Sequence, residues 1–279
     1  MPIKQLVMIR TFFKYLNYVI GFLVLLITAL LVKDAYTVPY MHPHTNIGIK
    51  TKSNKLSEDL LLAVKMEENM DSFRSEMENL NLDEMLSSVN TDKKRVAFWV
   101  NVYNGYYQIL NKQYNLKNPE IYAAKEIKIA GLILSLDDIE HGILRRYRHK
   151  YSLGYFSQFW VKTEIKKLAV HKMDYRIHFA LNCGAVSCPA IAFYDAESIN
   201  AQLDQAAYSF LSQETQIDHE NKVVYVSRLF YWFMADFGGK KGTGVIIDKY
   251  LETNTSGYTI KYNPYDWSED LSNFDENRF

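Results

Sequence analysis

The stretch Val96–Leu110 constrains this chain most. Wound as a helix, Val96, Phe98, Trp99, Val100, Val102, Tyr103, Tyr106, Ile109 and Leu110 point in almost every direction. A helix apolar nearly all round belongs at the centre of a fold, with other elements packed about it. One stripe is different: Ala97, Asn101, Asn104, Gly105 and Gln108. Its amides must bond inside the core or face a cleft, and both roles stay open for Asn101 and Asn104.

The remaining pattern supplies what surrounds that helix. Residues 55–88 carry Leu60, Leu61, Val64, Met70, Phe73 and Met77 at helical spacing and read as two scaffold helices. Ser135 and Asp138 are spaced as a capping box, opening a helix that buries Leu136, Ile139, Ile143, Leu144 and Tyr147. Glu140 falls in the middle of that buried face, with His141 and Arg145 one turn apart on its flank. A carboxylate there costs several kcal/mol unless it is paired or hydrogen-bonded, so Glu140 either locks an internal partner or serves a site. Residues 176–183 alternate as a strand, with Ile177, Phe179, Leu181 and Cys183 on one side and His178 and Asn182 on the other. Asp195 caps an amphipathic helix holding Ile199, Leu203, Ala206, Ala207 and Phe210. Residues 223–226 form a short strand, and an aromatic helix from Ser227 ends at Gly238-Gly239. Residues 239–244, Gly-Lys-Lys-Gly-Thr-Gly, lack the spacing of a phosphate loop and read as a solvated turn.

These elements predict an α+β fold: a small, mostly antiparallel sheet packed by helices around one buried helix, preceded by a single N-terminal transmembrane helix. The last expectation comes from the uncharged run Tyr18–Val32, with Lys4, Arg10 and Lys14 before it. It reads as an uncleaved signal anchor over 1–33, with a cleaved signal peptide as the rival reading, and with the N-terminus cytoplasmic and the bulk outside, periplasmic or extracellular. A linker over 34–53, with Pro39, His42, Pro43 and His44, leads to a single globular domain over 54–279. Across the 279 residues, Lys+Arg and Asp+Glu are 32 each, which argues against a nucleic-acid partner.

Three blocks carry a resemblance. They are Ala97-Phe-Trp-Val-Asn-Val-Tyr-Asn104, Leu134-Ser-Leu-Asp-Asp-Ile-Glu-His-Gly-Ile-Leu-Arg145, and Ile177 to Pro189, with weaker matches at Trp232, Asp236-Phe237-Gly238 and Tyr265-Asp266-Trp267. Over about 95–270 the chain resembles the domain-of-unknown-function 547 family. A looser likeness is to papain- and transglutaminase-type thiol enzymes, which use Cys, His and a polar orienting residue. Here both cysteines come after His178, and the buried helix carries Asn101 where a thiol stands in those enzymes.

The two cysteines, Cys183 and Cys188, admit four readings: a disulfide, a thiol nucleophile, zinc ligation, or inert buried thiols. As nucleophile, Cys188 or Cys183 needs His178 or His141 as its base, with Glu140, Asn101 or Asn104 orienting the imidazole. Four intervening residues do not make a tight zinc signature, and neither a metal nor a cofactor is implied. The leading expectation is a membrane-anchored, cysteine-dependent hydrolase or transferase acting on a peptide-like amide or acyl bond. The alternative is a binding or scaffold module of the cell envelope with a Cys183–Cys188 disulfide, whose partner is an envelope protein.

Overall fold

The computed structural model describes residues 3–36 and 51–275. The expected linker falls largely outside the described residues, His42 and His44 included. Helix α1 (Ile3–Tyr36) comes first, and its apolar side chains between Phe12 and Ile27 are exposed. Among the described residues no helix is long and apolar enough to cross a membrane. That finding overturns the expected transmembrane segment, and with it the single-pass arrangement with a cytoplasmic N-terminus and an outer domain. The uncharged run Tyr18–Val32, bounded by Asn17 and Lys33, falls short of the roughly 20 consecutive apolar residues that a span requires.

Helices α2 (Lys52–Lys65), α3 (Asp71–Glu78) and α4 (Leu82–Ser88) occupy the stretch expected to hold two helices. Asn81 divides α3 from α4, because its side chain caps the N–H groups of Asp83 and Glu84. Helix α5 (Asp92–Lys112) is the buried centre, capped by Thr91 and enclosed from Arg95 to Asn111. Helix α2 packs along it, and Gly105 faces Leu60, where a Cβ would make ordinary van der Waals contact at 3.8 Å from Leu60 Cγ. Arg95 is buried with it and donates from its guanidinium to the carbonyls of Val89 and Ala169.

After the short α6 (Glu120–Ala123), β1 (Ile127–Ile129) and β2 (Leu132–Leu134) make an antiparallel hairpin. The capping box forms as expected. Ser135 N–H donates to Asp138 Oδ2 at 2.9 Å and Asp138 N–H to Ser135 Oγ at 3.2 Å. The helix it opens, over Asp138–Leu144, is a π-helix rather than an α-helix. Its wide turns show in Arg145 N–H to Glu140 O at 2.7 Å and Tyr147 N–H to Gly142 O at 3.0 Å.

Helix α7 (Thr163–Leu168) leads to a 3₁₀-helix at Tyr175–Phe179, where the alternation suggested a strand. Asp174 explains the difference: its side chain accepts from Arg176 N–H, and its carbonyl accepts from Ile177 N–H. That local bonding closes a helical turn at once. Helix α8 (Ile199–Glu214) precedes β3 (Gln216–Asp218) and β4 (Val223–Val226), an antiparallel pair. Helix α9 (Leu229–Trp232) and α10 (Gly239–Leu251) then lead to β5 (Thr259–Tyr262), parallel to β4. The expected sheet is therefore two small sheets, one of them mixed.

The turn expected at 239–244 is the first part of α10. Gly238, at φ +77°, caps that helix rather than ending the previous one. Gly242 is held against the backbone, since a Cβ there would lie 1.9 Å from Phe237 O.

Two clusters of buried side chains result. The larger surrounds α5; the smaller is aromatic, built on Phe179, Phe210, Phe230 and Phe237.

Candidate functional site

A cavity of about 450 Å³ contains residues from both clusters in its wall. Helix α5 supplies Tyr103, the π-helical turn supplies Glu140 and His141, the 3₁₀-helix supplies His178, and the loop after it supplies Cys183. Helix α9 brings Trp232, and the C-terminal segment brings Tyr265 and Trp267. These three rings pack together, with Tyr265 and Trp267 centroids 4.7 Å apart.

The electrostatic anchor lies behind this wall. Arg145 is fully buried and donates from Nε to Asp236 Oδ2 at 2.6 Å. His178 Nε2 meets the same oxygen at 3.0 Å. Burial alone raises a carboxyl pKa, but His178 and Arg145 overcome that and bring Asp236 down to about 2. Asp236 is then an anion, so His178 donates from Nε2 and keeps its lone pair on Nδ1. Burial holds the His178 pKa below its ordinary value in spite of Asp236. Phe233 covers both groups: its ring stacks on the imidazole at 3.9 Å, and the guanidinium lies 4.6 Å from its centroid.

His141 is fixed by the same arginine. Arg145 Nη1 lies 2.7 Å from His141 Nδ1. A guanidinium can only donate, so Nδ1 accepts and the ring proton sits on Nε2, which faces Asp137 Oδ1 at 3.6 Å. Burial, then the charge of Arg145, pushes the His141 pKa well down. The ring is neutral at ordinary pH.

Glu140 is the unusual acid. Tyr103 Oη donates to its Oε2 at 3.3 Å, and its other oxygen lies 3.7 Å from His141 Nδ1. Burial raises its pKa to about 7, against the opposing pull of Arg145. Asp137, by contrast, is paired with Lys150 at 2.6 Å.

The cysteines are bonded to each other, so neither is a free thiol. Cys183 lines the cavity, whereas Cys188 is buried. Asn101 and Asn104 are spent on backbone. Asn101 bonds both the N–H and the carbonyl of Tyr194, at 3.0 and 2.8 Å. Asn104 accepts from Asn182 N–H at 2.9 Å and donates to Ala180 O at 3.0 Å. They brace the loops that carry the site and do not line the cavity. Gln108, from the same stripe, is buried with no hydrogen-bond partner for its amide among the described residues.

Of the expected site residues, the structure therefore gathers Glu140, His141, His178 and Cys183, and sets Cys188, Asn101 and Asn104 behind them. Sequence reasoning missed Asp236 as the hub, and Tyr103, Tyr122 and Tyr265 as walls. Asp236 did stand in a block carrying the resemblance, beside Phe237 and Gly238, and that was the available signal. Arg145, which was expected only on a flank, follows the π turn and is fully buried against Asp236.

Comparison with known proteins found a match to one family model, over residues 86–211, described as a protein of unknown function, DUF547. No curated protein and no solved structure was matched. The matched segment holds α5, the π turn, the 3₁₀-helix, the disulfide loop and most of α8, and it leaves Trp232, Asp236 and Tyr265 outside. It carries the family alone, not the likeness to thiol enzymes. That segment, which contains Glu140, His141, His178 and both cysteines, is similar to the DUF547 family.

Proposed function

We propose that the cleft binds a peptide-like ligand through a cationic group, with Glu140 as its counter-charge, and that this binding needs no cysteine chemistry. The observation that carries the reading is a largely buried carboxylate, 13% exposed and hydrogen-bonded by Tyr103, in a cavity walled by Tyr103, Tyr122, Trp232, Phe233, Tyr265 and Trp267. Aromatic faces attract a cation within about 6 Å of the ring centroid, more strongly where water is excluded. Of the cations nearby, Lys150 is paired with Asp137 and Arg145 with Asp236, and both imidazoles have lowered pKa values. The charge left for a ligand is that of Glu140. A volume of about 450 Å³ suits a side chain or a short peptide.

Hydrolysis by a cysteine is the weaker reading. Attack on an acyl carbon needs a thiolate, and both sulfurs are held in one disulfide.

Trp232 and Trp267 in the wall provide a fluorescence readout for titration with Nα-acetyl-lysine amide and, as a control, Nα-acetyl-norleucine amide. The lysine compound is expected to bind and the norleucine compound not. Its affinity should rise about tenfold from pH 6 to pH 8, following the ionised fraction of an acid titrating at about 7. Glu140→Gln should abolish both the preference and the pH dependence. Equal response to the two compounds, or an unaltered preference in Glu140→Gln, would sink the reading.

A further inference from the structure

The two sulfurs of the disulfide sit in different surroundings. Cys183 is half-buried and lines the cleft, while Cys188 lies behind it. Cys188 Sγ receives the backbone N–H of Cys183 at 3.1 Å and that of Ala185 at 3.3 Å. Tyr265 Oη is 3.2 Å from both sulfurs. A disulfide carries no hydrogen, so the phenol is the donor, and burial keeps it protonated by raising its pKa. Three donors thus converge on Cys188 Sγ, two of them backbone groups presented by a loop that turns at Gly184, φ +69°. A neutral disulfide sulfur is a weak acceptor and gains little from them. A thiolate, carrying a full charge, gains much more, as an oxyanion does from preorganised donors.

From this asymmetry we infer that Cys183–Cys188 is a reactive disulfide that exchanges with thiols entering the cleft, Cys183 being the sulfur attacked. An incoming thiolate bonds to Cys183 Sγ, and the S–S bond breaks with its electron pair passing to Cys188 Sγ. The product is a mixed disulfide on Cys183 and a thiolate on Cys188, held by Cys183 N–H, Ala185 N–H and Tyr265 Oη. A second thiolate then attacks the substrate sulfur of the mixed disulfide and releases Cys183. In sum, two thiols are oxidised to one disulfide, and the protein disulfide is reduced to a dithiol. A leaving thiol of low pKa departs faster, which is what the donors around Cys188 provide. The inference does not depend on the cationic-ligand reading, since the attacking group needs only a thiol.

Glutathione is the probe. The oxidised full chain is mixed with it near neutral pH, quenched with acid, alkylated and mapped by peptide mass spectrometry. The adduct is expected on Cys183, with Cys188 free. Cys188 also borders a second cavity of about 120 Å³, beside Phe179 and Phe210, so an adduct on Cys188 is a physical alternative and would overturn the assignment. No adduct at either sulfur would overturn it too. In the reduced protein, thiolate absorbance should show one thiol titrating at least one pH unit below the ordinary value of about 8.5. Tyr265→Phe should raise that midpoint, with about a tenfold loss in acid dissociation. Two thiols at or above the ordinary value would contradict the inference. Lysine-amide binding measured on the same oxidised samples tells this failure apart from a failure of the cationic-ligand reading.

Discussion

Asp236 organises more of the site than any other residue, through the two bonds to Oδ2 from Arg145 and His178. Removing its charge leaves a buried guanidinium without a counter-ion, and breaking a buried pair in this way typically costs about 3–5 kcal/mol. Asp236→Asn should therefore lower the unfolding free energy by roughly that amount in denaturant titration, and should free the His178 ring. The pH dependence comes from the same shift. The folded pKa is about 2, below the unfolded value of about 3.9. The stability contributed by Asp236 is thus complete above about pH 4 and is lost as pH falls toward 2. In Asp236→Asn that part of the acid-induced loss should be missing; an unchanged acid limb in the unfolding curves would refute its role as the hub.

At the scale of elements, Gly184 shows how tightly the disulfide loop is specified. Its φ is +69°, and a Cβ would lie 2.4 Å from Tyr107 Cε1 on α5. Gly184 N–H is also bound by Asn182 Oδ1 at 2.8 Å, and its carbonyl accepts from Asp270 N–H at 2.8 Å. Gly184→Ala should cost about 3 kcal/mol, combining the left-handed backbone penalty with overpacking. Thermal unfolding with and without reductant checks this: the loss should appear in both, and an unchanged midpoint would mean that the loop is looser than described. Several elements were legible because one physical pattern dominated them. Val96–Leu110 is apolar in nearly every direction, and only a central helix satisfies that. Ser135 and Asp138 define a reciprocal cap whichever type of helix comes after it. Other elements were decided by competing local bonds. The alternation Ile177, Phe179, Leu181 fits a strand, yet Asp174 closes a 3₁₀ turn over it. The glycines of 238–242 suggested a turn, yet Gly238 supplies a left-handed cap and Gly242 a close backbone contact.

Over the whole molecule, the cleft exists because three distant parts of the chain meet at the junction of the two clusters. Residues 97–104, 134–145 and 177–189 are the blocks that carry the family resemblance, and the pairing of their histidines with the cysteines was the expectation behind the site. The closing wall was only faintly legible. Residues 265–275 have little pattern of their own and are held by backbone pairing: Val186 N–H to Ser268 O at 2.9 Å, Ile191 N–H to Asn273 O at 2.8 Å, and Ser187 N–H to Asp266 O at 3.3 Å. Backbone bonds of that kind leave almost no trace in residue type. The N-terminal run is the clearest lesson in the other direction. An uncharged stretch behind cations suggested a membrane span, and no helix among the described residues meets the length and apolarity that crossing needs.

The charge state of Glu140 links the cavity to its proposed ligand, and carboxyl-carbon NMR of labelled glutamate, assigned with Glu140→Gln, measures it most directly. In the free protein the Glu140 signal is predicted to titrate with a midpoint near 7; with Nα-acetyl-lysine amide at saturation, the midpoint should move to lower pH as the bound cation stabilises the carboxylate. A free-protein midpoint at the ordinary glutamate value of about 4.3, or one near 7 that saturating ligand leaves in place, would contradict the account.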